Sequence, residues 1–230
     1  MKIGCLSDLH LKPGASHHQD ARLYATLVNL VCRCDQVVIV GDLLEMYTRV
    51  GSRKAHFKKI ARAYPRAFDF ISRNTNRIVL INGNHDDGCL GMIPGARPVA
   101  SALIDGYYFI HGHQADVFFA SKQAEQFVEA IIRGLYRLES WMMGVTRFKF
   151  SEGFAVWQHR NHYGSVKLRK TCLDYLSSVN RQFIAGVVAG HTHIKDGCVM
   201  RTGQRYFNTG TFMDGNVLIL DTSTGKTEWP

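Results

Sequence analysis

The chain of 230 residues lacks several features that define large classes of protein. It has no run that approaches the roughly 18 consecutive apolar residues of a membrane span, so we expect no transmembrane segment. Its six cysteines include no Cys-x-x-Cys pair, which argues against a disulfide framework and against a thiolate metal site. It also has no internal repeat or low-complexity tract. With 46% hydrophobic residues, the chain can bury a substantial core, and we expect a single domain spanning residues 1–230.

The N-terminus lacks the pattern of a signal peptide. A single Lys follows Met1, and the chain then enters an apolar run at 3–6 that is needed as a strand. We therefore expect a cytoplasmic protein.

Acidic residues are scarce in one part of the chain. Overall, 28 Lys and Arg outnumber 19 Asp and Glu, which gives a net charge of +9. Between Arg49 and Arg77, nine basic residues accompany a single acid, Asp69. Such a run is either an ordinary solvated helix face or a positive surface that attracts phosphate, nucleic acid or an anionic membrane.

Five short polar blocks each follow an apolar run. The runs at 2–6, 37–40, 78–81, 107–110 and 187–189 are rich in β-branched or aromatic residues, which is typical of buried strands. Because open α/β folds keep their sites at the C-terminal edge of a sheet, we expect the blocks to converge there. The blocks are Asp8-Leu9-His10, Gly41-Asp42, Gly83-Asn84-His85-Asp86, His111-Gly112-His113 and Gly190-His191-Thr192-His193.

The side chains in these blocks are of the kinds that bind divalent metals. They offer carboxylate oxygens, an amide oxygen and imidazole nitrogens, which suit borderline-hard ions. Each block alone is weak evidence, because Asp-x-His arises by chance and a lone His is usually a surface residue. Their joint placement after strands predicts a site for two divalent metals.

Two stretches with apolar residues at helical spacing follow the first two blocks. The spacing predicts one helix over 20–31 and a second over 56–71, which Pro65 is expected to kink or divide. Strands and helices thus alternate as in βαβ units, so the fold class is α/β. Further strands are predicted at 205–208 and 217–221.

The segment from about residue 114 to residue 182 has helical periodicity and separates the fourth block from the fifth. An apolar stripe on a helix usually packs into the core. The alternative is an inserted helical cap over the site that holds an acyl chain or a nucleobase.

The ordered set of blocks resembles the calcineurin-like metallophosphoesterase superfamily over positions 8–193. Within it, the segment Gly41-Asp42-Leu43-Leu44-Glu45-Met46-Tyr47 and the chain length are most similar to the UDP-2,3-diacylglucosamine pyrophosphatases of lipid A synthesis. Those enzymes usually carry Arg where this chain has His85 and Asp where it has His113. The resemblance implies two packed β-sheets flanked by helices, an αββα sandwich, and it favours a helical cap at about 114–182.

The resemblance also implies which side chains hold the metals. Asp42 would bridge the two ions. The remaining ligands would be Asp8, His10 and His193 on one metal and Asn84, His111 and His191 on the other.

A different role is implied for His85, which would act without binding metal. It would donate a hydrogen bond to a phosphoryl oxygen or protonate the leaving group. Glu45 and Asp86 are expected either to orient ligating imidazoles or to form turns. His113 matches no ligand position and is left unassigned.

Manganese is the expected metal, although the same ligands suit Zn²⁺ or Fe²⁺. The expected substrate is a lipid nucleotide of the UDP-diacylglucosamine kind, cleaved at its pyrophosphate. The alternatives are a phosphodiesterase or nuclease acting on nucleotides or nucleic acid, which the basic segment also suits, and a non-catalytic interaction module. A lipid substrate leaves peripheral association with the inner membrane open, and the sequence indicates no oligomeric state.

Overall fold

The computed structural model describes residues 1–49, 51–115, 184–199 and 203–230. These residues form two five-stranded sheets. The strands are β1 (Lys2–Leu6), β2 (Gln36–Val40), β3 (Ile78–Ile81), β4 (Ser101–Ile104), β5 (Tyr107–Ile110), β6 (Gly186–Ala189), β7 (Lys195–Val199), β8 (Arg205–Thr209), β9 (Leu218–Asp221) and β10 (Lys226–Glu228). The first sheet has the order β10-β9-β1-β2-β3, and the second has the order β4-β5-β6-β8-β7.

The centre of each sheet is parallel. In the first sheet β1, β2 and β3 run in the same direction, with Leu6 opposite Ile39. In the second sheet β5, β6 and β8 do so, with Ala189 opposite Asn208. The other strands pair antiparallel at the sides. The carboxyl ends of three strands therefore meet at one edge of each sheet.

The two sheets pack face to face through one apolar cluster. It joins Ile3 and Val38 of the first sheet to Tyr107, Phe109 and Val188 of the second, all of which are at most 1% exposed. Alternate residues of β1 and β2 point to the opposite face of the first sheet, as the period of two in a strand requires. That face is covered by helices.

Three helices cover the outer face of the first sheet: α1 (His17–Arg33), α2 (Arg53–Ala63) and α3 (Pro65–Arg73). In α1, the residues at helical spacing that pack onto the sheet are Leu23, Leu27 and Leu30. Ser16 and Gln19 form a capping box at its start, so α1 begins three residues before the predicted boundary. Pro65 divides the second predicted helix and occupies the first turn of α3, where its missing N–H costs nothing.

The predicted architecture of two packed sheets flanked by helices is confirmed. The proposed cap at 114–182 lies outside the described residues, apart from its first two positions, and the single-domain assignment stays a prediction. No helix in the described parts of the chain combines the length and apolar character needed to cross a membrane.

Asp20 joins α1 to the start of α3, and this contact leads to a stability prediction. Its buried carboxylate accepts hydrogen bonds from the backbone N–H groups of Ala67 (3.1 Å) and Arg66 (3.4 Å). Tyr64, the residue before α3, provides no side-chain cap. We expect Asp20→Ala to lower the free energy of unfolding by about 1–3 kcal/mol, because it leaves buried donors unpaired.

Urea denaturation of the two proteins measures this difference. Asp20→Asn is the matched control, since it keeps an acceptor oxygen and should lose less stability. Equal midpoints for wild type and Asp20→Ala would show that the cap contributes nothing.

Candidate metal centre

The five polar blocks converge at the edge where the parallel strands end. The first sheet contributes Asp8 and His10 after β1, Asp42 after β2, and Asn84 and His85 after β3. The second sheet contributes His111 after β5 and His191 and His193 after β6. Both carboxylates thus come from one sheet, and three of the imidazoles come from the other.

One group of candidate ligands consists of Asp8, His10 and His193, whose ligand atoms all lie within 4.8 Å of one another. His193 Nε2 lies 3.1 Å from Asp8 Oδ1 and 3.0 Å from His10 Nε2. This is the set that the sequence assigns to one metal.

A second group consists of Asp42, His111 and His191. Asp42 Oδ2 lies 3.1 Å from His111 Nε2 and also 3.8 Å from His10 Nε2 in the first group. Asp42 therefore stands between the two groups, which is the position that a bridging carboxylate requires.

Two side-chain atoms test whether the cluster suits a metal. Asn84 Oδ1 is buried and has no hydrogen-bond partner among the described residues, while the Asn84 amide donates to Tyr47 Oη at 3.5 Å. His111 Nδ1 lies 2.8 Å from the Val40 carbonyl oxygen, which can only accept, so Nδ1 donates there and Nε2 is the nitrogen that faces the site. A buried amide oxygen without a partner and an imidazole nitrogen directed at the Asp42 carboxylate fit a divalent cation.

The backbone at the site is held in an uncommon conformation. Five of the seven predicted ligands have positive φ: Asp8 (53°), His10 (45°), Asp42 (52°), His191 (71°) and His193 (59°). This left-handed region costs a side-chain-bearing residue on the order of 1–3 kcal/mol and is concentrated at functional sites. The surrounding sheets therefore hold these five residues in a backbone conformation that is unfavourable for residues with a side chain.

Two glycines of the motifs allow close approach of the ligands. A Cβ atom at Gly83 would lie 2.1 Å from Asp42 Oδ1, and one at Gly41 would lie 2.4 Å from the His111 ring. Gly41 also has φ of 86°. Larger residues at either position would displace a candidate ligand.

Charge is balanced within the buried cluster. Burial raises the pKa of Asp8, but the hydrogen bond and charge of His193 outweigh it and bring the pKa to about 2. Burial likewise opposes ionisation of Asp42, yet neighbouring imidazoles hold its pKa well below the usual range. The two carboxylates in turn raise the pKa of His111 to about 9 against the effect of burial. The site thus presents ionised carboxylates to any cation that replaces the protons on the neighbouring imidazoles.

The Glu45 carboxylate links His85 to His10 of the first group. Glu45 is 3.1 Å from His85 Nδ1 and 3.3 Å from His10 Nδ1. Burial lowers the pKa of His85, but Glu45 and Asp42 outweigh it and raise the pKa to about 9. The ring of Tyr47 packs on His85 with centroids 4.2 Å apart. His85 is therefore protonated at neutral pH and held from two sides.

Glu45 lies beside imidazoles, whereas Asp86 binds backbone N–H groups. Its carboxylate accepts hydrogen bonds from the backbone N–H groups of Asp42, Leu44 and Gly83. It therefore fixes the loop that carries Asp42 against the loop that carries Asn84, and it contacts the backbone rather than an imidazole.

A sixth polar block, at 208–211, was not predicted to belong to the site. Thr211 Oγ1 donates to the Asp8 carbonyl oxygen at 2.8 Å, and Asn208 Nδ2 donates to the Gly190 carbonyl oxygen at 2.7 Å. The Ser7 hydroxyl donates to the Asp8 carboxylate. The block begins in the last two residues of β8 and continues past its end, so the same strand-end pattern would have identified it.

His113, which the sequence left unassigned, lies next to the second group. Its ring centroid is 5.4 Å from that of His111 and 6.3 Å from that of His191. Burial and these two imidazoles lower its pKa to about 3. His113 is therefore neutral at physiological pH.

Comparison with known proteins identifies the family. The model of the calcineurin-like phosphoesterases matches residues 1–195. The chain belongs to the calcineurin-like phosphoesterase family. It is therefore a hydrolase acting on phosphoester bonds, and the divalent metals that such enzymes use agree with the cluster of Asp and His side chains. No curated protein sequence matches the chain at a significant level.

Two solved structures with TM-scores of 0.51 and 0.50 share the fold at low sequence identity. A novel archaeal phosphodiesterase is 14% identical, with 100% of this chain and 99% of that chain covered and a TM-score of 0.51. A metallophosphoesterase from Sphaerobacter thermophilus is 11% identical, with coverage of 100% and 87% and a TM-score of 0.50. The phosphoesterase Yfce from E. coli is 15% identical, with coverage of 99% and 96% and a TM-score of 0.48.

The position of Asp42 between the two groups predicts how metal content responds to its removal. Wild-type protein should hold close to two divalent ions per chain, and Asp42→Ala should lose both ions together with activity. Elemental analysis after dialysis measures the content, and circular dichroism checks folding. Asp69→Ala, which removes an exposed carboxylate of α3 that pairs with Arg73, is the matched control and should keep both ions. A folded Asp42→Ala protein with two ions would show that Asp42 is not shared.

Proposed function

We propose that this phosphoesterase hydrolyses the pyrophosphate of a lipid nucleotide of the UDP-diacylglucosamine kind with two divalent metals, Mn²⁺ being the first choice. In this proposal, one metal is held by Asp8, His10 and His193 and the other by Asn84, His111 and His191, with Asp42 shared. The convergence of these side chains from both sheets supports the two-metal assignment.

The proposed substrate is supported by the position of the segment 41–47 in the fold. This segment resembles the lipid nucleotide pyrophosphatases most closely, and in the fold it forms part of the site. Asp42 contacts both groups of ligands, Glu45 lies between the imidazoles of His10 and His85, and Tyr47 packs on His85. The residues that carry the resemblance therefore contact the candidate reacting groups.

The chain's own residues account for most of what hydrolysis requires. When bound, two divalent metals lower the pKa of a water molecule and neutralise charge on the phosphoryl oxygens. Glu45 and Asp42 raise the pKa of His85 and so favour its protonated form, which can donate a hydrogen bond to a phosphoryl oxygen or a proton to the departing phosphate. Glu45 holds the His85 ring through Nδ1, which leaves Nε2 for the substrate.

The second candidate function is that of a phosphodiesterase or nuclease. The basic segment 49–77 favours it, because positive charge beside a site supports binding to a polyanion. Both functions use the same metal chemistry, so the substrate alone separates them.

Replacement of His85 tests its role apart from metal binding. His85→Ala should keep both metals and lose roughly 10²–10⁴-fold in kcat, the effect typical of lost general acid–base assistance. Turnover of bis-p-nitrophenyl phosphate and elemental analysis are measured on the same preparation. Because His85 also lies within ligating distance of His10 and Asp42, loss of metal would make it a ligand, and full turnover would remove it from the mechanism.

The substrate is tested by comparing three compounds with the Mn²⁺-loaded protein. We expect release of UMP and the sugar–lipid phosphate from UDP-diacylglucosamine, with a kcat/KM at least tenfold above that for bis-p-nitrophenyl phosphate, or about 1.4 kcal/mol of extra transition-state binding. The Asp42→Ala protein, purified in parallel, controls for contaminating phosphatases. An enzyme that ignores the lipid nucleotide but cleaves single-stranded DNA with a steep salt dependence would establish the nuclease function instead.

A further inference from the structure

The structure separates the nine basic residues between 49 and 77 into two sets. Four of them form ion pairs or hydrogen bonds with other residues of the fold. Arg49 and Arg53 contact Asp87, Arg73 contacts Asp69, and Arg77 donates to the carbonyl oxygens of Val31 and Cys34.

The other five lie exposed at the surface. Lys54, Lys58, Lys59, Arg62 and Arg66 are exposed and form no ion pair with any residue in the described ranges. Three of them, at 54, 58 and 62, are four residues apart on α2 and therefore lie along one face of the helix. We call these five residues the basic surface. Their mutual repulsion is a cost that a bound anionic partner would remove.

The basic surface begins beside the candidate metal centre. Arg53, in the first turn of α2, bonds to Asp87, which follows the His85–Asp86 block. In the same turn, His56 Nε2 lies 3.1 Å from the carbonyl oxygen of Glu45. A partner on the basic surface would thus be held next to the reacting groups.

The composition of the basic surface distinguishes between polyanions. Proteins that hold single-stranded nucleic acid add aromatic side chains on which bases stack. On α2, which carries four of the five residues of the basic surface, the aromatic Phe57 is buried in the core, as is Tyr64 at the junction with α3. What the structure offers beside α2 is an aliphatic side chain. The 3₁₀ helix Cys89–Met92 packs against α2, and its Met92 is 38% exposed.

Exposed cations with a neighbouring apolar side chain are the pattern of a protein that rests on anionic lipid. We propose that the basic surface docks the protein onto an anionic bilayer, with Met92 entering the headgroup layer. Docking in this way would place the metal centre at the membrane surface, where a lipid nucleotide is presented. The inference concerns attachment and does not depend on which phosphoester is cleaved.

Vesicle co-sedimentation of the full chain tests the proposal. Vesicles of phosphatidylcholine with about one third phosphatidylglycerol should bind the protein, those of pure phosphatidylcholine should not, and about 0.5 M salt should release it. Lys54→Gln/Lys58→Gln should weaken binding about 25-fold, since each lysine near an anionic surface contributes roughly a fivefold factor.

The matched control is Lys2→Gln/Lys226→Gln, which removes the same charge at the opposite end of the strands from the site. It should change vesicle binding less than twofold, and both double variants should keep wild-type hydrolysis of bis-p-nitrophenyl phosphate. Equal losses in the two variants would assign binding to net charge and overturn the proposal, as would failure of wild type to bind anionic vesicles. Retention of single-stranded DNA through Lys54 and Lys58 without vesicle binding would assign the surface to nucleic acid.

The lipid nucleotide assay separates this proposal from the proposed function. Vesicle binding that requires the basic surface supports docking even if UDP-diacylglucosamine is not cleaved. Cleavage of that lipid in detergent by a protein that ignores vesicles would overturn docking and leave the substrate assignment standing.

Discussion

The structure depends on one electrostatic constraint, the pairing of buried carboxylates of one sheet with imidazoles of the other. Asp8 and Asp42 are at most 1% exposed, and an unpaired buried carboxylate costs several kcal/mol. Each has an imidazole nitrogen from the second sheet 3.1 Å away, His193 for Asp8 and His111 for Asp42. The second sheet therefore supplies part of the charge compensation that burial of these carboxylates requires.

The backbone around these carboxylates adopts left-handed conformations that lower the stability of the fold. Several ligands adopt left-handed conformations, and Gly83 is there because any side chain would collide with Asp42. Such strain persists only where the surroundings over-determine the conformation. Three backbone N–H groups bound to the buried Asp86 carboxylate provide part of that support. The loops that carry the ligands are thus held by backbone contacts outside the ligand atoms themselves.

The parts of the fold that could be predicted from sequence are those with a strong local pattern. Apolar runs identified the buried central strands, and helical spacing with Pro65 identified α2 and α3. The edge strands β4, β7 and β10 were missed, because an edge strand is half-exposed and β7 alternates exposed and partly buried residues such as Lys195 and Cys198. Their pairing is decided by a neighbouring strand rather than by their own composition.

The sequence by itself indicated the family and the reaction class through the resemblance of its ordered blocks. It located the candidate ligands because a strand followed by a polar block is a local pattern and strand ends meet at one edge of a sheet. Only the tertiary structure decided which residues face one another. It placed Asp42 between two groups of ligands, put Glu45 between His10 and His85, and brought the block 208–211 into contact with Asp8. It also divided the basic residues of 49–77 into those bonded within the fold and those left at the surface. The physical reason is that charge pairing and hydrogen bonding act through space, between residues that the sequence separates by up to 203 positions.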